Sequence, residues 1–74
     1  MTLHAAIIKV LQENMRPMTS SEIAPIINKR KLYIRNDGDD VKPQQISARI
    51  NHYPKLFIRN GPEISLVHWF DTHQ

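Results

Sequence analysis

A chain of 74 residues has room for one domain with one small core, and at this size folding buries only about 60% of the surface the unfolded chain exposes, so stability is thin. The absence of cysteine excludes disulfides and thiolate metal sites, leaving 41% hydrophobic content to build the core by packing alone. A net charge of +3 favours an anionic partner without naming one, and no run reaches the ~18 apolar residues that a membrane span needs.

The stretch Leu3 to Leu11 is interrupted by His4 and Lys9, and no small-residue cleavage site follows, so it is not a signal peptide and the expected compartment is the cytoplasm. Leu3, Ile7, Val10 and Leu11 recur at helical spacing, with Ala6 and Ile8 beside them. That spacing predicts a helix from Leu3 to Asn14 with Thr2 as its N-cap, stopped ahead of Pro17. A second helix start is marked by Thr19-Ser20-Ser21-Glu22, a capping box in which hydroxyl and carboxylate each satisfy an orphan amide. Met18 and Ile23 sit where a hydrophobic staple would close it. This helix is expected to reach about Lys29, and Pro25, past its first turn, to kink it or shift its start.

Lys31 to Val41 is polar and reads as a loop with a turn at Asp37-Gly38. Leu32, Tyr33 and Ile34 either pack on the core or form a short extended piece. Pro43 suits the first position of a third helix running to about His52, with Ile46, Ile50 and Tyr53 on one face and Pro54 ending it. The period then changes to two: Leu56 to Arg59, an Asn60-Gly61 turn, then Pro62 to Val67 read as a β-hairpin, with Pro62 where no ladder bond is needed. The strand is expected to extend past His68, with Trp69 or Phe70 closing the core. Residues 1–70 form the expected domain and 71–74 a frayed tail.

Three helices followed by a terminal hairpin make a mainly α domain with a small antiparallel sheet, the order of a winged helix-turn-helix. In that arrangement the third helix offers its polar face to a DNA major groove and the hairpin is the wing beside the backbone. Gln44, Gln45, Ser47, Arg49 and Asn51 are residue types that pair with base edges and phosphates. Lys42 and Lys55 flank the helix, and Arg59 and Asn60 lie at the wing, with Lys42, Lys55 and Arg59 expected on phosphates. Arg49 has two readings: a base contact, or a brace for the acidic loop through Asp39 or Asp40.

The runs Arg16-Pro17-Met18-Thr19-Ser20-Ser21-Glu22-Ile23-Ala24, Gln45-Ile46-Ser47-Ala48-Arg49-Ile50, Leu56-Phe57-Ile58-Arg59 and Ile64-Ser65-Leu66 together resemble the HARE-type helix-turn-helix family. The resemblance spans about Leu3 to Leu66. It implies a winged helix that binds double-stranded DNA in a DNA-modifying, restriction, transcriptional or chromatin setting, fused to or associated with an effector domain. The acidic run Asp37 to Asp40 and Pro25 depart from the family's usual pattern, and an acidic loop facing the duplex would repel phosphate.

Other chemistry is poorly supplied. Asp37, Asp39 and Asp40 lack the bidentate Glu that a calcium loop requires, and His68 and His73 lack further ligands for zinc, so no metal site is expected. The serines have no histidine at a suggestive spacing, and Gly38 and Gly61, both taken by turns, give no phosphate loop, so no enzyme, cofactor or small-molecule substrate is expected. Tyr53 and Phe57 read as core residues before they read as a base-stacking platform. The rival function is a protein-docking winged helix without DNA binding, favoured by the acidic loop and by the apolar Val67 to Phe70 surface. Met1 reads as a natural start, and Asp71 to Gln74 as a point from which a longer polypeptide could continue.

Overall fold

A computed structural model describes residues 1–70, so the tail at 71–74 lies outside the described residues. The order is α1 (Leu3–Asn14), β1 (Met18–Thr19), α2 (Ser20–Arg30), α3 (Pro43–Asn51), β2 (Phe57–Asn60), β3 (Glu63–Leu66) and a 3-10 helix at Val67–Phe70. This is the winged-helix arrangement, with three helices packed on a small antiparallel sheet of strand order β1-β3-β2.

Helix α1 buries Leu3, Ala6, Ile7, Val10 and Leu11, an unbroken stripe at spacings of three and four. Thr2 caps it, its hydroxyl accepting from the Ala5 amide at 3.3 Å. It closes on Met15 in the left-handed region, φ 53°, whose N–H donates to the Leu11 carbonyl at 2.8 Å. Helix α2 starts at the capping box: Thr19 Oγ1 accepts from the Glu22 amide at 3.1 Å, and Glu22 Oε1 accepts from the Thr19 amide at 2.9 Å. Pro25 does not shift that start, and the helix is continuous through Arg30. The proline faces solvent, and the carbonyl its missing N–H leaves unpaired belongs to the exposed Ser21.

Two residues the sequence leaves unremarked hold the long α2–α3 connection. Asn28 clamps its far end: the side-chain amide donates to the Val41 carbonyl at 3.0 Å and its oxygen accepts from the Val41 amide at 2.9 Å. This seats Val41 in the core at 3% exposure. Arg35 holds the near end, bonding to the Asp37 carboxylate at 2.8 Å and the Asp40 carbonyl at 3.3 Å. The turn spans Arg35 to Gly38, with Gly38 at φ +76° donating to the Arg35 carbonyl. Its centre is therefore Asn36-Asp37, one residue earlier than expected. Leu32 and Tyr33 pack on the core while Ile34 is exposed.

Helix α3 ends at Asn51, and its buried residues are Ile46 and Ile50. Tyr53 is half-buried and stacks on His4 of α1, with ring centroids 4.1 Å apart. The hairpin turn differs from the expected Asn60-Gly61. Asn60 pairs with Glu63, so Gly61-Pro62 forms the two-residue loop. Gly61 at φ +61° supplies the positive φ a type II′ turn needs first, and proline's fixed φ suits the second position.

The sheet has a third strand that the hydrophobic pattern did not reveal. Met18 pairs with Ile64 and Thr19 with Glu63, so Met18, 1% exposed, serves the sheet as well as the start of α2. Past β3 the chain coils into the 3-10 helix and does not extend the strand. Trp69 packs partly against the core and Phe70 stays exposed. Phe57 is buried, as expected for a core residue.

Two stability measurements follow from these contacts. Asn28→Ala strands the amide and carbonyl of buried Val41 and should cost about 1–3 kcal/mol in urea unfolding; an unchanged midpoint would mean that the loop is held by other contacts. Glu22 is held below its ordinary pKa, first by the Thr19 amide and then by Arg16. Glu13 is lowered first by Arg30 and then by Lys9. Carboxylates lowered on folding contribute stability above their unfolded pKa and lose it as pH falls through the folded value. The urea midpoint should therefore drop between about pH 6 and about pH 3, and drop less in Glu22→Gln; an equal drop would remove Glu22 from the acid response.

Candidate nucleic-acid interface

Burying Ile46 and Ile50 turns the opposite side of α3 to solvent, where Gln44, Ala48 and Asn51 form an exposed ridge at spacings of four and three. Ser47 lies on one flank and is half-buried. Its hydroxyl is 3.4 Å from Ser20 Oγ at the start of α2 and accepts from Arg59 Nη2 of the wing at 3.4 Å. Three elements thus meet at one side of the ridge.

Gln45 and Arg49 lie on the other flank, both half-buried. Gln45 is the third residue of α3, and its Oε1 accepts from the Lys42 amide at 2.8 Å and from Arg35 at 3.4 Å. Its oxygen is committed to capping the helix, and only its NH₂ group remains for a ligand. Arg49 borders a shallow hollow with Leu3, Tyr33, Gln45, Ala48 and His52. It makes no ion pair with Asp39 or Asp40; the bracing role weighed for it belongs to Arg35. The cue for Arg35 was local, since a loop arginine two residues before Asp37 can reach that carboxylate across the turn.

Lys42 is exposed just before α3, Lys55 is exposed just after Tyr53-Pro54, and Asn60 is exposed where β2 ends. The nine sequence-derived residues therefore gather around α3 and the adjoining side of the wing. The ion pairs explain why this side is positive. Glu13 pairs with Lys9 and Arg30, Glu22 with Arg16, and Asp37 with Arg35. Among the described residues Lys29 and Lys31, near the end of α2, and Lys42, Arg49, Lys55 and Arg59, around α3, have no carboxylate partner. The charge of the last four is therefore available to an outside anion at this face. Asp39 and Asp40 lie in the loop that leads into α3, and the Asp39 carboxylate accepts from the Asp40 amide at 2.9 Å.

Two other features bear on function. Among the described residues no three or more histidine or acidic side chains gather as a metal-binding group, and no helix is long and apolar enough to cross a membrane. An apolar hollow of about 560 Å³ lies away from the α3 ridge, lined by residues that include Ile8, Leu56, Ile58, Val67 and Phe70.

Against known proteins, residues 1–69 match the HARE-HTH family model, described as the helix-turn-helix domain of ASXL proteins and restriction endonucleases. No curated protein and no solved structure matches the chain significantly. With the family model covering nearly the whole chain and the three-helix-plus-wing order in place, the chain belongs to the HARE-HTH family of DNA-binding helix-turn-helix domains.

Proposed function

We propose that this domain binds double-stranded DNA with α3 in the major groove and the β2–β3 wing against the sugar-phosphate backbone. The observation that carries the reading is the pairing of a polar, solvent-facing α3 ridge with four surrounding cations that no carboxylate neutralises. A helix of nine residues is about 13 Å long, comparable to the width of the major groove. Gln44 and Asn51 are the side chains free to meet base edges. Lys42, Lys55, Arg59 and Asn60, with Ser47 and the NH₂ group of Gln45, are placed for phosphates and sugars on either side. Arg49 takes the groove edge nearest Tyr33.

The acidic loop does not defeat this geometry. Arg35 neutralises Asp37 and ties the loop to the start of α3 through Gln45. Asp39 and Asp40 add a repulsive element on one side of the helix, which fixes the side from which a phosphate strand approaches. The module carries no reaction of its own in this reading. It delivers an associated or fused effector to DNA in a modifying, restriction or transcriptional context within the cytoplasm. The apolar hollow beside Val67 and Phe70 favours a second reading, in which that surface docks a protein and the domain serves as an adaptor.

A salt titration separates the two. Duplex affinity should fall steeply with salt, and replacing Lys42, Lys55 or Arg59 by alanine should each lower the log–log slope by about one. Binding with a shallow slope, or slopes unchanged in all three variants, would take these residues off the backbone and leave the docking reading.

A further inference from the structure

We infer that the domain prefers sites with an A·T base-pair core, read by Gln44, Ala48 and Asn51; this rests on the duplex-DNA reading above. The ridge that α3 turns to solvent consists of two carboxamides with a methyl group between them. Each has a defined complement in the major groove. A carboxamide pairs in bidentate fashion with N6 and N7 of adenine, and an alanine methyl packs on the C5-methyl of thymine. Gln44 and Asn51 are two helical turns apart, about 10 Å, which spans roughly three base-pair steps with Ala48 over the middle.

The residues that read guanine are held elsewhere. Bidentate contact to guanine O6 and N7 calls for an arginine or lysine pointing into the groove. Arg49 lies half-buried on the flank beside Tyr33. Arg59 turns back toward Ser47 at the side of α3. Lys42 precedes the helix and Lys55 follows it, and His52 lies past its last residue. The wing tip is Gly61-Pro62, with no cation to insert into a minor groove. Base discrimination therefore falls to the uncharged ridge, and its three side chains all favour A·T pairs.

The test uses fluorescence anisotropy at fixed low salt with two duplex pools that share flanks, one with a randomised A/T core and one with a randomised G/C core. The A/T pool should bind on the order of ten-fold tighter. Replacing thymine by deoxyuridine in that core removes only the C5-methyl and should weaken binding about fourfold. Gln44→Ala and Asn51→Ala should each reduce the A/T preference while leaving G/C-pool affinity in place, which also shows that the variants fold. Equal binding of the two pools, or a G/C preference, overturns the inference and leaves DNA binding standing. An A/T preference indifferent to deoxyuridine and to both variants overturns it too, since the preference would then come from duplex shape. No binding to either pool overturns this inference and the DNA reading together.

Discussion

The antiparallel pairing of Met18–Thr19 with Glu63–Ile64 is the contact on which the geometry of the whole domain depends. A two-stranded hairpin is marginal by itself in water, and β1 makes this one a three-stranded sheet with β3 in the middle. Thr19 is at once the end of that strand and the N-cap of α2, so the sheet fixes where the second helix begins. Met18 sits fully buried beside Ile64 and joins the sheet to the helical core. Because α3 packs across α2, the same anchor sets the position of α3 relative to the wing. The Ser20–Ser47–Arg59 contacts are the surface expression of that alignment.

The distribution of charge follows from the same frame. Glu13, Glu22 and Asp37 each lie within reach of an arginine, and these pairs absorb cations at the α1–α2 side and in the connecting loop. Exposed pairs of this kind add little stability one by one. Their larger consequence is what they leave over, since Lys42, Arg49, Lys55 and Arg59 keep their charge around α3. A modest net charge thus becomes a local positive field on one side, which is the form of basicity that matters for an anionic polymer.

Much of this was legible in the chain. The Thr19–Glu22 box and Pro43 each marked a helix start, because capping chemistry is local and needs no tertiary partner. The stripe of Leu3, Ile7, Val10 and Leu11 named the buried face of α1, and Ile46 with Ile50 named that of α3. The hairpin was found but its turn was displaced by one residue: Asn60-Gly61 and Gly61-Pro62 are both acceptable turn pairs, and only the cross-strand register chooses between them. Asn28 and Val41 escaped notice because their bonds join residues thirteen apart, with no pattern in the intervening loop. Gln45 looked like a free amide and proved to be part of the cap of α3.

The sequence by itself determined the helices, their buried faces, the existence of a terminal hairpin and the family, since each is written in periodicity, capping residues or local turn chemistry. Tertiary structure alone decided that a two-residue strand would complete the sheet, that Arg35 and not Arg49 would restrain the acidic loop, and that Gln44, Ala48 and Asn51 would be the ridge left open. The physical reason is common to all three. A side chain's partner across space depends on how elements pack, and packing is a property of the whole core, whereas helix and turn propensities are set by residues a few positions apart.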